Sequence, residues 1–168
     1  NLDALEKGIP NLLKHIENVT QKFGLPAVVA INRFPTDTEA ELKLIEDKCR
    51  EYGVNVALSE VWAKGGEGGI ELAKEVIRLI DEEEKNFKFI YNDNDSIKEK
   101  IEKIVREVYG GEGAEFTPAA SREINRLEKY GFGNLPVCMA KTQYSLSDDP
   151  KKLGWPKGFK VTVRSIKV

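Results

Sequence analysis

The sequence has few of the residues that most often build metal sites and nucleophilic active sites. It contains one histidine, His15, and two cysteines, Cys49 and Cys138, which form neither a CxxC motif nor a disulfide framework. His15 has no partner set for a zinc site or a histidine-based catalytic triad. We therefore expect reduced cysteines, an ordinary helical histidine and no metal site.

Long apolar runs and an excess of one charge are also missing. No run approaches the roughly 20 residues of a membrane-spanning helix, and no basic segment followed by a hydrophobic stretch opens the sequence. Lys and Arg total 26 against 28 Asp and Glu, a net charge of -2 that is mixed along the chain. We expect a cytoplasmic protein that binds neither nucleic acid nor membrane.

Strand and helix patterns alternate in the first half of the chain. Residues 27–31 form a short continuous apolar run, typical of a strand covered on both faces of a parallel sheet, and residues 54–58 are predicted to form a second strand. Amphipathic helices are predicted over residues 36–52, opened by a capping box of Thr36 and Glu39, and over residues 70–84. This order predicts a βαβ unit in which both loops leaving the strands open on one edge, where ligands bind in such sheets.

The second half predicts a smaller α+β part. One helix should begin near Ile97 and end at Tyr109, and another should begin at Thr117-Pro118 and stop near Gly131. Residues 136–140 and 159–168 are strand-like, and a polar loop, residues 141–150, joins them. The overall prediction is an α/β protein with a parallel, Rossmann-like sheet flanked by helices over residues 1–92 and the α+β part over residues 93–168.

Two aromatic residues follow the predicted strands. Phe34 lies in Asn32-Arg33-Phe34-Pro35 after the first strand, and Trp62 lies four residues past Leu58, the end of the second. Each ring either covers the edge of the core or presents its face to a flat ligand, and two such rings can sandwich a planar heterocycle.

The glycine-rich run after Trp62, residues 65–69, has two interpretations. Its backbone N–H groups could bind an anion at the start of the following helix, or it could be a turn that places Trp62. It matches neither GxGxxG nor GxxxxGK[ST], so it lacks the lysine and hydroxyl of a nucleotide-binding loop.

An alternative function comes from the same residues. An apolar strand, Asn32-Arg33, a second strand, Ser59 and a glycine-rich turn resemble the guanine-recognition half of a P-loop GTPase, which reads guanine with an Asn-Lys-x-Asp motif. Here Pro35 stands in place of the carboxylate, so guanine specificity is not expected. A structural domain without a ligand is the third hypothesis.

Three long stretches resemble one family. VVAINRFPTDTEAEL from Val28, ALSEVWAKGGEGGIELA from Ala57 and LPVCMAKTQYSLSDDP from Leu135 are similar to parts of formate–tetrahydrofolate ligase, also called 10-formyltetrahydrofolate synthetase, an enzyme of one-carbon metabolism. The resemblance implies an ATP- and Mg-dependent enzyme that activates formate as formyl phosphate. N10 of tetrahydrofolate then attacks it, giving 10-formyltetrahydrofolate, ADP and phosphate.

The resemblance also implies which residues bind the substrate. The folate ring would lie between Phe34 and Trp62, with Leu58, Asn32 and Pro35 as neighbours and Lys64 and Glu67 as further contacts. In the family, the P-loop lies in an amino-terminal region that these 168 residues do not include. The expectation is a carboxy-terminal fragment, truncated at both ends, with no catalytic residue and no ligand bound when isolated.

The sequence leaves two questions open, the oligomeric state and the role of the loop that begins at Lys141. The resemblance implies a homotetramer for the full enzyme, whereas an isolated fragment could be a monomer. In Lys141-Thr142-Gln143-Tyr144 a structural loop is favoured over a contact with nucleotide or with a neighbouring subunit.

Overall fold

A computed structural model describes residues 1–140 and 144–168 and divides the chain into two units, Asn1–Phe87 and Lys88–Val168. The sequence-based division at residue 92 stays a prediction. The interpretation of Lys141, Thr142 and Gln143 as part of a structural loop lies outside the described residues. Within the described ranges, no helix is both long and apolar enough to cross a membrane.

The first unit alternates helices with two short strands. Its elements are α1 (Leu2–Glu17, continued by a π-helical turn, Asn18–Lys22), β1 (Val28–Asn32), α2 (Glu39–Glu51), β2 (Asn55–Ser59), α3 (Val61–Lys64), a 3₁₀ turn (Gly65–Gly69) and α4 (Ile70–Glu82). β1 and β2 pair in parallel, with Val28 opposite Asn55 and Asn32 opposite Ser59. The predicted parallel pairing across a helix is confirmed, but in the described residues this sheet has two strands, so a Rossmann-like sheet is not established.

The core of this unit lies between the helical stripes and the strands. Ile16, Cys49 and Val54 are buried, and apolar residues of α1, α2 and both strands pack against them. Burial raises the pKa of the Cys49 thiol, as expected for a cysteine that packs as a small apolar group. Ala30 and Asn32 of β1 are exposed, so the expectation that this strand is covered on both faces is wrong. Alternate residues of a strand share a face, and an apolar run does not show which face is covered.

The start of α2 differs from the prediction by two residues. The sequence contains two overlapping Thr-x-x-Glu patterns, and the second forms the capping box: the Glu41 N–H donates to the Thr38 hydroxyl, and the Thr38 N–H donates to the Glu41 carboxylate. Thr36 instead lies inside a turn, because the Asp37 N–H donates to the Phe34 carbonyl oxygen at 3.0 Å. A residue inside that turn cannot serve as the helix cap.

The second unit has the same alternation. It comprises α5 (Ile97–Ile104, continued by a π-helical turn, Val105–Tyr109), β3 (Gly113–Phe116), α6 (Pro118–Lys129) and β4 (Lys160–Val163). β3 pairs in parallel with β4, with Gly113 opposite Lys160 and Phe116 opposite Val163. Both helices follow the prediction, whereas β3 was not predicted. Among the described residues, its core includes a buried cluster: Ile97, Ile101, Val105, Ala120, Ile124, Leu127, Phe159, Val161 and Val163.

Two strand predictions in this unit are wrong. Residues 136–140 form no strand, and the strand predicted over residues 159–168 covers only Lys160–Val163. Side chains rather than a strand ladder hold the segment before residue 138. The Lys100 ammonium donates to the carbonyl oxygens of Gly133 (2.9 Å) and Leu135 (3.0 Å). The Tyr91 hydroxyl donates to the Val137 carbonyl oxygen (3.0 Å) and accepts from its N–H (2.8 Å).

We expect Lys100 to stabilise the second unit, since its side chain is fully buried and bonds two carbonyls. Lys100→Met should lower the free energy of unfolding by about 1–3 kcal/mol, because removing a charged donor leaves its acceptors without their partner. Urea denaturation in a Trp62→Phe background, which leaves Trp155 as the only tryptophan, measures this. Lys129→Met, at an exposed position of α6, is the matched control. Equal urea midpoints for Lys100→Met and Lys129→Met would contradict a stabilising role for the buried Lys100 ammonium.

Candidate functional site

Phe34 is fixed by a tight turn at the carboxyl end of β1. The strand ladder continues one residue past β1, where the Arg33 N–H donates to the Ser59 carbonyl oxygen at 3.0 Å. The chain then turns over Phe34–Asp37, with Pro35 in the second position, where its fixed φ favours a β-turn. The Asp37 carboxylate accepts a hydrogen bond from the Phe34 N–H at 2.8 Å. The Phe34 ring is 52% exposed.

Trp62 lies on α3, a single helical turn that begins directly after β2. The backbone N–H groups of Ala63 and Lys64 both donate to the Glu60 carbonyl oxygen. The Lys64 ammonium is also 2.6 Å from the Glu60 carboxylate, and this hydrogen bond lowers the pKa of Glu60. The Trp62 side chain is 73% exposed, so this ring is not a lid buried on the core.

One glycine of the run after Trp62 is required by a close backbone approach. The Glu60 N–H donates to the Gly68 carbonyl oxygen at 3.0 Å, and a Cβ at position 68 would lie 2.4 Å from the Glu60 carbonyl carbon. Gly65 has a left-handed φ of 59°, which favours glycine. These contacts agree with the interpretation of the run as a turn that places α3.

The two rings meet at this edge of the sheet. The centroids of Phe34 and Trp62 are 6.3 Å apart, and their planes are inclined by 42°. A planar ligand between two rings needs van der Waals contact on both faces, which requires a separation of about 7–8 Å and near-parallel planes. The rings therefore contact each other and must open by about 1 Å and rotate to admit a flat molecule.

The other predicted site residues lie at the same end of the strands. Leu58, half-buried, is opposite Ile31 in the ladder, and the exposed Asn32 is opposite Ser59. Pro35 is exposed within the turn. Glu67 is exposed in the 3₁₀ turn.

Two ion pairs lie beside the rings. Arg33 bonds Glu39 at 2.5 Å, and Lys64 bonds Glu60. The Asp37 carboxylate, which accepts from a backbone N–H, and the exposed Glu67 add negative charge beside these two pairs, a setting that suits an uncharged aromatic ring better than a polyanion.

Sequence reasoning missed Asp37, Glu60 and Gly68. The signal for Asp37 was present, since proline in the second position of a four-residue segment that ends in Asp is typical of a turn. No comparable signal marked Gly68, whose role depends on a close approach between two backbones.

The described residues bring together no cluster of candidate metal ligands. Over residues 1–140 and 144–168, no three His, Cys, Asp or Glu side chains converge in a way that could hold a metal ion.

Comparison with protein families gives one result that covers the whole sequence. A family model described as formate–tetrahydrofolate ligase matches residues 1–168. The match includes both strands of the first unit and both rings, so the resemblance inferred from three stretches is confirmed at the level of the family.

We predict that Gly68→Ala disturbs the turn that carries Trp62. The added methyl group would clash with the Glu60 backbone, and such overpacking should lower the free energy of unfolding by about 1–3 kcal/mol. Urea denaturation and the near-ultraviolet circular dichroism of Trp62 in a Trp155→Phe background measure the two effects. Gly66→Ala is the control, because a Cβ there meets nothing within 4 Å. If Gly68→Ala and Gly66→Ala both had the stability and the Trp62 signal of the parent chain, the close approach of Gly68 to Glu60 would not be needed to hold the turn.

Proposed function

The chain belongs to the formate–tetrahydrofolate ligase family, and we propose that it supplies the surface on which that ligase holds the ring system of tetrahydrofolate. Family membership implies the joining of formate to tetrahydrofolate. Phe34 and Trp62 would contact the two faces of the pterin-like ring system, whose pyrimidine part is planar and uncharged. The ATP-dependent activation of formate is assigned to residues outside this sequence.

The observation that carries the proposal is the convergence of two exposed rings. Phe34 and Trp62 follow neighbouring parallel strands and stand 6.3 Å apart at the edge where ligands bind in such sheets. Rings that served only to cover the core would be mostly buried, whereas these are 52% and 73% exposed. An exposed aromatic pair at this edge of the sheet is suited to stacking.

Ligand entry replaces one aromatic contact with two. The present contact between the rings is tilted by 42°. An inserted heterocycle would stack on both faces, and each stack contributes about 0.5–1.5 kcal/mol beyond the area it buries. Stacking also orients the ligand, so that N10 of the folate would be presented in a fixed direction to an activated formyl group.

The remaining predicted residues have secondary roles in the proposal. Leu58, half-buried at the end of β2, would form the apolar floor between the rings. Asn32 would offer amide hydrogen-bonding groups to the polar edge of the heterocycle. Pro35 would limit the space beside Phe34.

We expect a folate analogue to quench Trp62 fluorescence. In a Trp155→Phe variant, Trp62 is the only tryptophan, and titration should give saturable quenching. Trp62→Ala removes the reporter as well as one stacking face, so its binding is measured by isothermal titration calorimetry, where it should be weaker than that of the parent chain. Phe34→Leu, which keeps apolar bulk but removes the aromatic face, should raise the Kd about 2- to 12-fold, equivalent to about 0.5–1.5 kcal/mol.

Tyr52→Leu is the matched control for this titration. Tyr52 is a partly exposed ring at the end of α2, just before β2, and so lies at the opposite end of the strands. Its substitution should leave the Kd unchanged. Binding of GTP without any response to folate, or no binding of either ligand, would count against the proposal.

The chain alone should make no 10-formyltetrahydrofolate. Its sequence has no GxxxxGK[ST] motif, the loop that would hold the phosphates of ATP. Incubation with ATP, magnesium, formate and tetrahydrofolate, followed by chromatography of the folates, tests this. Product above the level of a protein-free control would show that this chain carries the chemistry.

A further inference from the structure

We propose that Asp37 is a positioning residue, which holds the Phe34 ring in place before the ligand arrives. The role of Phe34 toward folate rests on the function proposed above. The position of Phe34 itself depends only on contacts within this chain, so the two can be tested apart.

Asp37 bonds the backbone of Phe34 in both directions. Its carboxylate Oδ2 accepts from the Phe34 N–H at 2.8 Å, and its own N–H donates to the Phe34 carbonyl oxygen at 3.0 Å. With Pro35 fixing φ between them, the two hydrogen bonds close a small ring at the base of the Phe34 side chain. The backbone of Phe34 is thereby held on both sides of its Cα.

The Asp37 carboxylate is not needed to cap α2. Thr38 is the N-cap of that helix, and Thr38 and Glu41 form a complete capping box. The neighbouring guanidinium of Arg33 bonds Glu39. The Asp37 carboxylate lies next to the start of α2 but does not cap it. Its local role is therefore the hydrogen bond that it accepts from the Phe34 N–H.

Fixing one ring in advance lowers the cost of binding. A side chain whose backbone is already ordered loses less conformational freedom when the ligand stacks on it. The opening of about 1 Å that a flat ligand requires would then be made mainly by Trp62, which stands on a single helical turn beside the left-handed Gly65.

A ligand-free measurement tests the positioning directly. In the Trp155→Phe background, the indole N–H resonance of Trp62 senses the ring current of Phe34, and Phe34→Leu defines the shift when that ring is absent. Asp37→Ala should move the resonance toward the Phe34→Leu value. Asp37→Asn keeps an acceptor for the Phe34 N–H and should stay near the parent value.

The same variants are then compared in the folate-analogue titration. Asp37→Ala should raise the Kd about three- to tenfold, the loss expected from one local hydrogen bond, and Asp37→Asn should restore it. Thr38→Ala, which removes the helix cap, should lower the urea midpoint but leave both the resonance and the Kd in place.

Three results would overturn the inference. One is a Trp62 resonance that is the same in Asp37→Ala as in the parent chain. Another is an Asp37→Asn variant that behaves like the Phe34→Leu reference, and a third is a Thr38→Ala variant that reproduces the Asp37→Ala shift. If the parent chain bound no folate analogue, the proposed function would fail, while the ligand-free shifts would still decide the role of Asp37.

Discussion

The parallel register of β1 and β2 determines where both candidate ligand-binding rings lie. Asn32 pairs with Ser59, and the ladder extends one residue further through the Arg33 N–H. The two segments that follow β1 and β2 therefore leave the sheet side by side. The first aromatic residue of each segment then lies at the same edge of the sheet. A slip of one residue would turn every side chain of a strand to its other face and would shift the loop that follows.

Two local turns, one after each strand, then place the two rings beside each other. On one side, the Phe34–Asp37 turn reverses the chain at once, because Pro35 and Asp37 favour a tight turn. On the other side, α3 carries Trp62, whose ring lies beside that of Phe34, and the contact of Gly68 with Glu60 holds that turn. The two sides differ in kind: one depends on a side-chain carboxylate, and the other on close backbone packing.

The sequence predicted the features that follow from short-range patterns. The strand around Ala30 has a continuous apolar run, and the helix starting at Ile97 has helical periodicity. The positions of the two rings followed from their place after the predicted strands. β3, with the residues Gly-Ala-Glu-Phe, has no apolar run and forms because β4 lies beside it. The reverse error concerned residues 136–140, whose apolar pattern suggested a strand although Lys100 and Tyr91 hold the neighbouring backbone. Such tertiary contacts override the local propensity of a segment to form a strand.

The central claim is that a folate ring inserts between Phe34 and Trp62. Its most direct test is a structure of the chain with a non-reactive folate analogue, by crystallography or from intermolecular NOEs. We predict that the heterocycle contacts both rings, with their planes near parallel and their centroids separated by about 7–8 Å instead of 6.3 Å. An analogue bound elsewhere, with Phe34 and Trp62 still in contact with each other, would contradict the account.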